Sequence, residues 1–145
     1  MNPSINCINL IKQFEGYRSK AYLDAVGVPT IGYGSTMWND AKKVKLGETI
    51  TLDGAEKLLM WYLNKKSLIL ENLNLNQNQF DALLSFIYNI GLTAFNKSTL
   101  LKKVKVNPND ATIRNEFMRW VNKGSSFEKG LTRRRKAESD LYFSV

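Results

Sequence analysis

Glu15 and Asp24 are two carboxylates near the N-terminus, with eight residues between them. Glycoside hydrolysis needs such a pair: one carboxyl stays protonated to donate to the leaving oxygen, and the other stays ionised. The rest of the composition directs the chemistry towards acids. The chain contains no histidine, which excludes Ser-His-Asp triads, Cys-His dyads and His-ligated zinc. Cys7 is the sole cysteine, so neither an intrachain disulfide nor a Cys-x-x-Cys metal or redox site can form. Proton transfer then falls mainly to carboxylates, with Lys and Tyr poorer candidates near neutral pH. Neither a cofactor nor a metal is expected. The spacing alone selects nothing, because a chain with 13 acids holds many such pairs and most acids are solvated surface charges. Thr30, with five residues between it and Asp24, reads by itself as a strand former.

The elements that must position these residues follow from pattern. Asn2-Pro3 reads as an N-cap with proline in the first helical turn. Ile5, Ile8, Ile11 and Phe14 then mark one helical face, and Gly16 stops the helix, which puts Glu15 in its last turn. Tyr17 to Tyr33 changes character. Tyr22, Val26, Val28, Thr30, Ile31 and Tyr33, punctuated by Gly27, Pro29, Gly32 and Gly34, predict a short β-ribbon with Asp24 at or just before its first turn. Desolvation and the negative end of the helix dipole disfavour an ionised carboxyl at a helix C-terminus. Glu15 is therefore the better acid, and Asp24, on a solvated turn, the better base.

Residues 35 to 50 are polar and irregular and are expected to end the small β-lobe. Leu52, Ala55, Leu58, Leu59, Tyr62, Leu63 and Leu70 predict one long helix from about Thr51 to Asn72, linking two lobes. Phe80, Leu83, Leu84, Ile87 and Ile90 predict a central core helix over Gln77 to Ile90, ended by Gly91. Further helices are expected over Thr99–Lys105, Pro108–Asn122 and Thr132–Phe143. Cys7 is expected to be a buried helix residue. No internal repeat and no low-complexity linker interrupts the chain.

Charge and hydropathy bound the class. The 21 Lys+Arg against 13 Asp+Glu leave a net charge of +8, which predicts attraction to nucleic acid, a membrane surface or an acidic cell-wall polymer without choosing among them. No stretch approaches the roughly 18 consecutive apolar residues of a membrane span. The N-terminus lacks the basic start, apolar run and small-residue cleavage site of a secretory signal, so the chain is expected to be cytoplasmic when made.

Taken together, Phe14-Glu15-Gly16-Tyr17-Arg18, Ala21-Tyr22-Leu23-Asp24 and Pro29-Thr30-Ile31-Gly32-Tyr33-Gly34 resemble the signature of phage lysozymes of the T4 type, glycoside hydrolase family 24. The resemblance continues through Gln79-Phe80-Asp81-Ala82-Leu83, Phe86, Asn89, Gly91, Phe95, Ser98-Thr99-Leu100-Leu101, Arg119-Trp120 and Gly130-Leu131-x-x-Arg134-Arg135-x-x-Glu138. It covers nearly the whole chain.

The resemblance implies an α+β, lysozyme-like fold. A small β-ribbon N-terminal lobe and a larger helical C-terminal lobe, joined by a long helix, form a single lysozyme (muramidase) domain over 1–145. It implies an endolysin that hydrolyses the β-1,4 bond between N-acetylmuramic acid and N-acetylglucosamine in peptidoglycan and so lyses the host. Glu15, Asp24 and Thr30 match the family's catalytic set in type and spacing. Glu15 would protonate the glycosidic oxygen, while Asp24 with Thr30 would activate water on the far face of the sugar and invert the product. The residues themselves leave inversion and retention open, since the carboxyl separation decides between them.

Gly32, Tyr33 and Gly34 would let backbone approach the sugar, and Tyr88, Asn89 and Ser98 match positions lining the family's substrate groove. One arginine of Arg133-Arg134-Arg135 is expected near Glu15, and Trp120 offers an aromatic face or fills core. The implied partners are peptidoglycan and a holin-type protein that releases the enzyme from the host cytoplasm at lysis. A monomer is expected, with no nucleic acid and no stable membrane insertion. Three rival readings stay open on the residues: a basic nucleic-acid-binding module, a cationic membrane-disrupting protein without catalysis, and a lytic transglycosylase. Intact Glu15, Asp24 and Thr30 count against the second, and Asp24 counts against the third.

Overall fold

The computed structural model describes all residues from Met1 to Val145 and divides into two compact units. One is built from Met1–Leu10 and Lys66–Val145, the other from Ile11–Lys65. Seven helices and one two-stranded antiparallel sheet make the fold α+β, as the patterning predicts. No helix is long and apolar enough to cross a membrane.

Helix α1 (Ile5–Glu15) ends where the sequence places its stop: Gly16 takes φ +70°, and its N–H still donates to Lys12 O at 3.0 Å. Its buried side is set by Cys7 and Ile11, one helical turn apart and both fully buried. Ile5, expected on that side, is 64% exposed; it opens the helix, before a neighbour can cover it.

In the unit Ile11–Lys65, β1 (Arg18–Leu23) pairs with β2 (Pro29–Gly32), Tyr22 opposite Thr30 and Leu23 opposite Pro29. The ladder is irregular between Arg18 and Tyr22. The polar stretch after it is ordered by isolated bridges, Ile31 with Ser35, Met37 with Lys43 and Lys20 with Thr49. Trp38 Nε1 donates to Glu48 Oε1 across that stretch at 3.1 Å. Helix α2 (Leu52–Lys66) buries Ala55, Leu58, Leu59 and Leu63, and Ile11, Ile31 and Val44 are buried in the same unit. Gly32 lets β2 lie against α2, since a Cβ there would stand 3.2 Å from Ala55 Cβ. The single helix expected over Thr51–Asn72 is not continuous. After α2 the chain tightens into a 3-10 turn over Ser67–Leu70, which still buries Leu70.

The other unit is organised on α3 (Gln77–Ile90), whose bounds match the expected helix. Asn76 and Gln79 form a reciprocal capping box at its start, and Gly91 at φ +89° ends it. Every residue from Gln79 to Ile87 is buried, so α3 is the core helix, and Phe86 meets Phe95, Phe117 and Trp120 edge-on. Helices α4 (Leu92–Lys97) and α5 (Thr99–Val106) follow. The six-residue α4 was not expected, being too short to show a period.

The helix expected over Pro108–Asn122 shrinks to α6 (Ile113–Phe117). Asn107 Oδ1 accepts the Asn109 N–H at 3.0 Å and Asp110 Oδ1 accepts the Thr112 N–H at 2.9 Å, so two side chains take backbone donors that a helix would use. Trp120 consequently lies beyond the helix, with its ring against Phe86. Helix α7 (Glu128–Tyr142) begins four residues before the expected Thr132. Glu128 Oε1 accepts the Gly124 N–H at 2.6 Å and fixes the entry, and Gly130 is tolerated within the first turns.

Candidate active site

Helix α1 delivers Glu15 as its last residue, half-buried, against the turn that follows β2. A Cβ on Gly34 would stand 2.7 Å from Glu15 Oε1, so the carboxyl rests on bare backbone, and the φ of +84° there suits glycine for a second reason. Between Gly32 and Gly34, Tyr33 is nearly fully buried. Its ring lies 5.8 Å from that of Tyr17, and Lys12 Nζ stands 5.4 Å from its centroid. Lys12 in turn pairs with Glu56 at 2.6 Å. The Gly32–Gly34 turn therefore presents backbone, while Tyr33 anchors it from below.

Asp24 directly follows β1. Its Oδ1 accepts the N–H of Val26 at 3.0 Å and of Val28 at 2.8 Å, and its own N–H donates to Val28 O at 3.0 Å. The carboxylate thus caps the turn that its backbone begins, which fixes the direction of the second oxygen. Thr30 is buried on β2 and donates its hydroxyl hydrogen to Val28 O at 2.8 Å. With that hydrogen committed, the hydroxyl has only lone pairs left to offer a third group. Val28 therefore ties Asp24 and Thr30 together through its N–H and its carbonyl.

Tyr22, opposite Thr30 in the ladder, relates the two acids. Burial raises its phenol above the ordinary tyrosine range, and the negative charges of Glu15 and Asp24 both push it further up. The Arg18 guanidinium, 4.2 Å from the ring centroid, pulls it back. Both candidate acids are thus among the charges that act on this phenol. Sequence reasoning quoted Tyr22 within a motif and gave it no role; its place opposite Thr30 was readable from the ribbon register.

The other expected residues lie in the unit built on α3. Tyr88 is half-buried and Asn89 exposed at the C-terminal end of that helix. Ser98 is buried as the N-cap of α5, where its hydroxyl donates to Phe95 O at 2.7 Å and accepts the Leu101 N–H at 3.1 Å. Of the three consecutive arginines, Arg133 is exposed whereas Arg134 and Arg135 are buried with Glu138. Glu138 Oε2 accepts from Ser85 Oγ at 2.6 Å and Arg134 Nε at 3.2 Å, and Glu138 Oε1 pairs with Arg135 Nε at 3.2 Å. Burial drives the Glu138 carboxyl upward, and the two guanidiniums oppose it. Arg135 Nη2 donates to Asn89 Oδ1.

Comparison with known proteins decides the family. The phage lysozyme family matches residues 12–138. The chain belongs to the phage lysozyme family. The endolysin of Salmonella phage P22 is 39% identical to this lysozyme over 99% of each chain. The SAR-endolysin of bacteriophage PS119 is 35% identical, over 88% of this chain and 75% of its own. The solved endolysin from Escherichia coli O157:H7 phage FAHEc1 superposes with a TM-score of 0.87 at 36% identity, covering 99% of this chain and 94% of that one. The lysozyme is a glycoside hydrolase that cleaves peptidoglycan, and the cell wall is where it acts.

Proposed function

We propose that Glu15 is the general acid and that Asp24, with Thr30, holds and activates the attacking water, so that the muramyl bond is hydrolysed with inversion. The observation that carries this reading is the Asp24 carboxylate held by the Val26 and Val28 N–H groups while Val28 O takes the Thr30 hydroxyl hydrogen, which ties Asp24 and Thr30 to one residue. Glu15, half-buried against the Gly34 backbone, donates its proton to the glycosidic oxygen as the bond to the anomeric carbon breaks. Water attacks the same carbon from the opposite face and passes a proton to Asp24. The Thr30 hydroxyl accepts the water's other hydrogen, the one role left to it once its own is committed to Val28 O. A water between carboxylate and sugar fits carboxyl separations of about 6.5–9.5 Å.

The Gly32–Gly34 backbone, Tyr88, Asn89 and Ser98 are proposed to border the bound glycan, Tyr33 and Ser98 chiefly by holding the chain that does so. The Glu15, Asp24 and Thr30 spacing supports a place in the T4-type branch, glycoside hydrolase family 24. A holin-type protein is the proposed export partner of a monomer made in the host cytoplasm; the SAR-endolysin relative marks the alternative, export without one. Proton NMR of a fresh digest tests the mechanism. Inversion of the β-linkage gives the α-anomer first, and first appearance of the β-anomer would end the Asp24-and-water reading.

A further inference from the structure

The buried Arg134–Arg135–Glu138 group carries two cations and one anion, all at most 4% exposed. Buried guanidiniums need acceptors around them. The Ser85 carbonyl accepts from Arg134 Nη2 at 3.2 Å, the Phe86 ring faces the Arg135 guanidinium at 4.9 Å, and Asn89 Oδ1 accepts from Arg135. Among these acceptors, Asn89 is the one whose side chain also reaches solvent.

A guanidinium has donors and no acceptor, so the atom Asn89 turns towards Arg135 must be its oxygen. The NH2 group is what this exposed side chain has left to offer another partner, and it is a pure donor. Left free in water, a side-chain amide can rotate and serve as donor or acceptor; here one of those options is removed. Glu138 holds Arg135 through Nε, and Arg135 spans 46 residues of sequence to hold Asn89.

We propose that Arg135, anchored by Glu138, is a positioning residue that presents Asn89 Nδ2 as a hydrogen-bond donor to an amide carbonyl of the substrate. The proposal rests on the reading above, in which Asn89 borders the glycan. Peptidoglycan carries that chemistry on its N-acetyl groups and on its stem peptides. A free amine at the same place, itself a donor, is rejected because two donors face each other.

Steady-state kinetics of wild type and Asn89→Asp on soluble glycan strands test this. The strands are used intact, de-N-acetylated, or stripped of stem peptides. Asp keeps an oxygen against Arg135 and turns a second acceptor outward. KM for intact strands should rise about tenfold, the scale of one lost hydrogen bond, with kcat within about twofold. The melting temperature should hold or rise, since an ion pair replaces a neutral contact. Arg135→Lys, which keeps the charge and loses the fork, should give an intermediate KM.

De-N-acetylation should raise the wild-type KM and leave the variant's unchanged if the N-acetyl carbonyl is the acceptor; removal of stem peptides should do so if they supply it. A wild-type KM in Asn89→Asp overturns the proposal. So does a fall in stability and kcat at constant KM, or indifference of both proteins to both strand modifications. A wild type that turns over no strand at all sinks the hydrolytic reading as well, and is told apart by its zero kcat.

Discussion

Glu15 Oε1 lies 2.7 Å from the point where a side chain on Gly34 would begin, and the Gly34 backbone sits at φ +84°. The catalytic candidate and the glycine are therefore fitted to each other. Gly34→Ala must move the carboxyl and strain the turn together. A residue with a Cβ in the left-handed region costs about 1–2 kcal/mol, and a displaced general acid loses about 100-fold in rate. Thermal denaturation and turbidity loss of purified cell walls should show both. Gly47, also at positive φ but with nothing within 4 Å, is the control: Gly47→Ala should lose stability and keep turnover.

Asp24→Asn separates the turn from the chemistry. Asparagine keeps an oxygen to accept the Val26 and Val28 N–H groups, so stability should stay within about 0.5 kcal/mol of wild type. The base is gone, and activity should fall by about 100-fold or more. Asp24→Ala should be equally inactive and less stable as well, because the turn loses both hydrogen bonds.

Thr30→Val keeps the shape and removes the hydroxyl. Val28 O then loses one of its two donors and keeps the Asp24 N–H, so stability should fall by only about 0.5 kcal/mol, while the water loses its acceptor. Thr30→Ser keeps both and should recover most of the rate. Equal activity of the Val and Ser variants on cell walls would remove Thr30 from the proposed mechanism.

Acid should unfold the protein through carboxylates held in their ionised form. The Trp38 N–H and the Lys45 backbone N–H hold Glu48 below the ordinary glutamate range, and the Thr112 hydroxyl and backbone N–H do the same for Asp110. Arg114 and Lys136 lower Asp140 likewise. A folded-state value lowered in this way stabilises above the unfolded value and is lost as pH falls through the folded one. The melting temperature should therefore decline as pH drops below about 4, the model-peptide range. Glu48→Gln should melt lower than wild type at neutral pH and decline less steeply below it.

How much of this was legible beforehand depended on the range of the interactions involved. Helix α3 could be read closely because its apolar period and Gly91 both act within a few positions. Glu15 at the end of α1 and Asp24 at the ribbon turn followed for the same reason. Pro108–Asn122 misled because the Asn107 and Asp110 side chains compete with the helix for backbone donors, and apolar spacing does not register that competition. The break after α2 was hidden because a 3-10 turn can bury Leu70 as a helix would. The Asn89–Arg135 contact needed the tertiary structure: it joins residues 46 positions apart whose local patterns carry no trace of each other.

The central claim is that two carboxylates hydrolyse a glycosidic bond with water. Mass spectrometry of the muropeptides released from purified cell walls by wild type and Glu15→Gln tests it most directly. Wild type should release fragments with hydrated reducing ends, and Glu15→Gln, with an unchanged melting transition, should release none. Anhydro ends from wild type, or hydrated fragments from Glu15→Gln at the wild-type rate, would contradict it.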